Sequence, residues 1–230
     1  MAEEEIKLTL SDRLNNFFTQ NRKTLLIVLL DVLVFFLALV GWFAFVENQQ
    51  ISAIAKIETL VVDFEKFKSE ELKNALDSLT EEEKKLLADK ENALIESLIP
   101  YTDKNNYAGF MAAQQIADIY FKNENFEKAL SFYEKINLPS SKYVTGVSLF
   151  NAAACADELG QSEKAIELYN KAANCEDFPF KARAFFNIAR VQENTNKERA
   201  IEGYKKIISE YPNTEWAYLS KTRIIELELK

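Results

Sequence analysis

Any chemistry in this 230-residue chain has to begin without histidine, because there is none, and with only two cysteines, Cys155 and Cys175. Hydroxyl and thiol nucleophiles are ordinarily activated by an adjacent base, most often histidine, and imidazole is also the commonest metal ligand. Two cysteines cannot fill a four-thiolate zinc site. Cys155 falls deep in one helix and Cys175 at the end of the next, which sets their α-carbons beyond the roughly 7 Å that a disulfide spans. Both are expected to be small buried residues. The acidic runs Glu3–Glu5 and Glu81–Glu83 suit solvent or the first turn of a helix, not a paired acid and base. No phosphate loop or nucleophile motif is present. A formal charge of −8 leaves no basic excess to displace counterions from nucleic acid. The sequence therefore points away from an enzyme, from a cofactor or metal, and from a nucleic-acid partner.

One ionisable residue stands out for its surroundings. Asp31 is the single charge in residues 24–46, TLLIVLLDVLVFFLALVGWFAFV. Twenty or so apolar residues cross about 30 Å of hydrocarbon as a helix, and a signal-peptide core is shorter, about 7–15 residues. An uncleaved membrane anchor is expected. Lys7, Arg13, Arg22 and Lys23 precede the span, whereas Lys56 and Lys66 are the only cations in the twenty residues after it. Cation bias keeps the short N-terminus in the cytoplasm and sends the remainder across, with Trp42 near the outer interface. A carboxylate well inside the span costs about 2.5–3.5 kcal/mol on insertion scales. Asp31 is either tolerated by its apolar neighbours or makes a polar contact with another membrane protein, on the face shared with Phe35, Ala38 and Trp42.

The rest of the chain must be helical. Gly and Pro together number 9, against about 12% in average usage, which suits long helices and short loops. Ile51, Ile54, Ile57, Val61, Phe64 and Phe67 recur at steps of three and four, a helical stripe that either packs on its own domain or forms a self-association seam. Ser69–Leu79 reads as a short helix. Thr80 followed by Glu83 matches a capping box and opens a helix expected to end before Pro100.

Three segments then superimpose: AAQQIADIYFKNENFEKALSFYEKI, VSLFNAAACADELGQSEKAIELYNKAA and RAFFNIARVQENTNKERAIEGYKKI. Each carries a small residue in a first helix (Ala117, Ala153, Ala189) and an Ala in a second (Ala129, Ala165, Ala200). An aromatic follows four residues later, at Tyr133, Tyr169 and Tyr204. Antiparallel helices approach closely only where small residues face each other, and the aromatic fills the wedge where they diverge. Ala93, 36 residues before Ala129, marks a degenerate fourth copy. After Pro212, the face Trp216, Leu219, Ile224 and Leu227 belongs to a helix that closes the last apolar surface.

This pattern resembles the tetratricopeptide repeat, with Tyr120 at the first-helix tyrosine, Gly160 in the turn and Pro212 ending a second helix. Ala156 and Gln192 depart from it at the tyrosine position. The resemblance implies an all-α fold, in which a single N-terminal transmembrane helix precedes a helical-hairpin solenoid. The expected layout is a cytoplasmic tail over 1–23 and the span over 24–46. A stalk and degenerate repeat over 47–106, three repeats over 107–212 and a capping helix over 213–230 follow.

Phe17-Phe18, Asn21, Lys23, Gly41-Trp42 and Tyr107-Ala108 make the whole layout similar to the bacterial membrane-anchored tetratricopeptide family that serves as an ancillary subunit of the Sec translocon. Residues 69–92, rich in Glu and Lys, depart from that family. The similarity implies a scaffold in the inner membrane whose periplasmic repeats meet translocon subunits, periplasmic chaperones and exported polypeptides. A structural tether for envelope assembly or division, acting through a homo-oligomer, is the alternative. The groove of such a solenoid is formed by first-helix positions, here Met111, Gln114, Phe121, Val147, Phe150, Phe186 and Arg190. Exposed rings at Phe150 and Phe186 would centre a peptide site, unless the stripe packs on the stalk. Protease added to intact spheroplasts is expected to digest the repeat domain; full protection would reverse the orientation.

Overall fold

The structure is a computed structural model that describes residues 10–72, 79–138 and 141–229. Regular structure among them is entirely α-helical. The chain divides into two units, residues 1–51 and 52–230.

The first unit holds α1 (Leu10–Gln20) and the opening of α2 (Arg22–Glu71), separated by the turn residue Asn21. The tail expected over 1–23 thus contains a helix. Within α2 lies one stretch long and apolar enough to cross a membrane, and none of that window is buried against protein.

The second unit starts with residues 52–71 of α2, where Ala53, Ile57 and Phe64 are buried and Ile54, Leu60, Val61 and Phe67 lie against the same core. The stripe is spent on its own domain, and Ile51, 58% exposed, falls outside it. The short helix expected over Ser69–Leu79 lies mostly outside the described residues. Helix α3 (Glu81–Thr102) opens on the capping box: Thr80 Oγ1 accepts from the Glu83 backbone N–H and the Glu83 carboxylate accepts from the Thr80 N–H. It does not stop before Pro100. The proline sits in the final turn, where its missing N–H costs one bond near the end of the ladder, and the helix closes two residues later. Ala93 is exposed, and α3 buries Leu94, Ile95 and Leu98 instead. No small-residue crossing forms there, which corrects its reading as a repeat position.

Three hairpins follow: α4 (Tyr107–Lys122) with α5 (Phe126–Lys135), α6 (Lys142–Glu158) with α7 (Ser162–Ala173), and α8 (Lys181–Gln192) with α9 (Lys197–Glu210). Their second helices start in the same way in the first and third copies, where Asn125 and Asn196 accept from the N–H groups of Lys128 and Arg199. These side chains satisfy orphan donors that a helix start cannot bond internally. Gly160 turns α6 into α7 at φ 69°, a conformation that spares glycine the Cβ penalty; Glu124 holds the same turn at φ 56° in the first hairpin.

The crossing residues are as the repeat pattern requires. Ala117, Ala153 and Ala189 are fully buried, as are Ala129, Ala165 and Ala200. The aromatics Tyr133, Tyr169 and Tyr204 are at most 3% exposed. In the third hairpin a Cβ on Gly203 would stand 3.1 Å from that of Ala189, so the backbones meet there. Ser148, fully buried, donates to the Tyr133 carbonyl at 2.8 Å and ties the second hairpin to the first. Helix α10 (Glu215–Glu228) packs on α9 and α8 through Ala217, Ser220 and Leu227, with Trp216 and Ile224 half-buried. Leu219 is exposed rather than on this inner face, because the crossing is made by the small residues 217 and 220.

Replacing Ala165 with Leu inserts a branched side chain into a fully buried crossing. We expect a loss of about 1–3 kcal/mol in urea unfolding; a change near zero would mean that Ala165 does not face its partner helix.

Candidate functional site

The first-helix positions do not form one open apolar groove. Phe150 and Phe186 are each 8% exposed, which corrects the expectation that they present rings to a ligand. Nor is it the stalk that covers them. Phe150 stacks edge-on against Tyr169 at 5.2 Å and lies 5.7 Å from Phe178, from the connection before α8. Phe186 lies 5.3 Å from both Tyr204 and Trp216. The Arg183 guanidinium spans the two groups, 5.2 Å from the Phe150 ring and 5.5 Å from Trp216, a cation–π arrangement on both faces. These rings are mortar between consecutive hairpins.

The other positions divide in the same way. Phe121 is half-buried and edge-on to Phe126 at 5.4 Å, and Val147 packs on the same central core. Arg190 is exposed and pairs with Asp157 of the preceding hairpin. Glu193 makes a second such tie: the Arg223 guanidinium of α10 grips its carboxylate, Nε donating at 3.0 Å, and the Tyr204 hydroxyl donates at 2.5 Å. Asp31 is exposed on α2 and has no ion pair or side-chain hydrogen bond among the described residues.

Met111 and Gln114 alone line a cleft. It is formed between Ile57, Glu58, Val61 and Val62 of α2 and Phe110, Met111, Gln114 and Gln115 of α4, and has a volume of about 450 Å³. Its floor is aliphatic and continuous with the α2–α3–α4 core. At its wall, the Gln114 amide nitrogen donates to Asp118 Oδ1 at 3.0 Å, and the Tyr133 hydroxyl donates to the same oxygen at 2.5 Å. Burial and the hydrogen bond to Asp118 push the Tyr133 phenol well above its ordinary range, so it remains a donor. Asp118 as a carboxylate only accepts, so the Gln114 nitrogen must face it and Oε1 must face away. That oxygen is buried and has no hydrogen-bond partner among the described residues. A buried acceptor left unpaired costs about 1–3 kcal/mol, and this one is shielded from the cleft by its own surroundings.

The register of α4 identified Met111 and Gln114. Val61 and Ile57 were legible as a stripe, but the pairing of that stripe with α4, and with it Val62, Phe110 and Gln115, had no sequence signal. Among the described residues no cluster of metal-ligating side chains occurs. Cys155 and Cys175 are free thiols; Cys155 is fully buried, and that burial pushes its thiol up to about 12, whereas Cys175 is only half-buried. The cleft sets an apolar lining beside a carboxylate that already takes two donors.

The Glu193 tie gives a pH dependence. Burial disfavours its charged form, but the hydrogen bonds from Arg223 and Tyr204 outweigh this and hold the carboxyl below its usual 4.5. A folded-state value below the unfolded one means stability that is present above the unfolded value and lost as pH falls through the folded one. In urea unfolding between about pH 6 and pH 3.5, Glu193→Gln should therefore lower stability at the upper end and flatten its fall toward the lower end. An identical pH profile in the two proteins would exclude the tie as a contributor.

The match to known families agrees with this geometry. Two tetratricopeptide-repeat models match, one over residues 147–174 and 183–214 and the other over 112–136. A "TPR repeat-containing protein" of Treponema pallidum (strain Nichols) is 37% identical over 147 residues, 61% of this chain. The chain likewise spans 61% of the length of that relative. The matched stretches fall on the three helical hairpins and their alanine crossings, so the hairpins are similar to tetratricopeptide repeats in both sequence and fold.

Proposed function

We propose that the protein is a membrane-tethered scaffold that docks polypeptides in the α2–α4 cleft, working as an ancillary component of the translocon and its chaperone network on the outer side of the inner membrane. One observation carries the docking site: an apolar cleft of about 450 Å³ between α2 and α4, lined by Ile57, Val61, Val62 and Met111. The fitting ligand is a peptide segment that lays an aliphatic side chain between Val61 and Met111. Tetratricopeptide repeats act as protein-binding scaffolds through such surfaces of stacked helices. The tether is supported by the fully uncovered apolar stretch of α2 and by the cations Arg22 and Lys23 before it. The translocon setting rests on the resemblance carried by Phe17-Phe18, Asn21, Lys23, Gly41-Trp42 and Tyr107-Ala108. A self-associating tether is less favoured, because the stripe it would use, Ile57 to Phe64, is spent inside the domain.

Photo-crosslinkers at Val62 and Gln115, with Glu202 as a distant control, test both halves in native membranes. Channel subunits and nascent chains should be captured from the cleft positions and not from Glu202. Met111→Glu should cut that capture roughly tenfold, about 1.4 kcal/mol, with an unchanged melting temperature. Self-crosslinks alone would favour the structural tether and overturn the docking reading.

A further inference from the structure

Helix α1 has a face that nothing in the repeat domain accounts for. At 100° per residue, Leu10, Leu14, Phe17 and Phe18 fall within an arc of about 100°, with no polar residue inside it. All four are exposed, at 77%, 50%, 53% and 56%. The remaining circumference holds Ser11, Asn15, Asn16, Thr19 and Gln20. A helix that is strongly two-faced yet polar on average lies in a membrane interface rather than across it.

We infer that α1 lies on the anionic surface of the same membrane that α2 enters, with Leu10, Leu14, Phe17 and Phe18 sunk to the level of the headgroup–acyl boundary. This rests on the reading of residues 24–46 as a membrane span. Two observations select a lipid surface as the occupant. Only Asn21 separates α1 from α2, and the apolar stretch starts at Thr24, so the whole 11-residue helix, roughly 16 Å long, stays within reach of the headgroups. In sequence, residues 10–23 carry Arg13, Arg22 and Lys23 against Asp12, a cationic excess that favours an anionic leaflet.

The test uses the full chain with Cys155→Ala and Cys175→Ala, reconstituted into vesicles of phosphatidylcholine with phosphatidylglycerol. Nitroxide labels are placed singly at Leu14→Cys, Thr19→Cys and Phe36→Cys. The ratio of oxygen to nickel-chelate collisions should be several-fold higher at position 14 than at 19, and highest at 36. In phosphatidylcholine alone, the contrast between 14 and 19 should shrink. Equally aqueous labels at 14 and 19, with a deep label at 36, would overturn the surface helix and leave the span intact. An aqueous label at 36 would overturn the span itself. Spin–spin broadening at 14 that dilution with unlabelled protein removes would assign the face to a second copy and overturn the lipid reading. An equal contrast in both vesicles would overturn the anionic preference.

Discussion

Everything in the repeat domain follows from how closely two helices can approach. Interaxial distance is set by the side chains at the contact, and small residues let backbones come nearest. Where Ala117, Ala153 and Ala189 meet helices bearing Ala129, Ala165 and Ala200, the hairpins close and the buried tyrosines fill the wedge. Where the crossing residues are large, the helices stand apart. Ile57 and Val61 are what α2 offers to α4 at the cleft, and the two backbones remain farther apart than those of the three hairpins. The cleft is the space that this difference leaves. One size rule therefore produces both the solid part of the domain and its opening.

The aromatic rings obey the same constraint from the other side. A groove between first helices stays open only if nothing from the connecting loops or the next hairpin reaches into it. Phe178 and Trp216 do reach in, and a ring left in water beside another ring gains by stacking on it. Arg183 completes the seal by giving its charge to two aromatic groups while remaining exposed at its tip. The polar ties Asp157–Arg190 and Glu193–Arg223 run along the same seams, each between one hairpin and the next helix pair. The inner surface of the second and third hairpins is thus structural, and the first hairpin carries the opening.

The fold was legible because its signal is repeated: three alanine crossings at 36 and 35 residues are read from spacing alone, and all are buried as that spacing demands. The failures share one cause. Ala93 has the spacing but not the partner, since α3 meets α4 through Leu94, Ile95 and Leu98. Leu219 has the hydrophobicity but loses the inner face to Ala217 and Ser220. Pro100 has the breaking chemistry but sits too near the helix end to matter. The site was less legible still. Register places Phe150 correctly on its helix, yet what lies over that ring comes from Phe178, 28 residues away and outside the repeated pattern. Gln114 was found by register, but its importance depends on Asp118 and Tyr133 fixing which end of the amide is free.

The Asp118 network also fixes the wall of the cleft. Asp118 Oδ1 takes two donors, one from Tyr133 and one from Gln114, so the amide cannot flip without losing a charge-assisted bond. The acceptor is therefore pre-set, buried and directed by a carboxylate that has no other task among the described residues. Under the proposed docking, selection falls to the aliphatic floor between Val61 and Met111, which favours segments that carry an apolar side chain over those that are polar throughout.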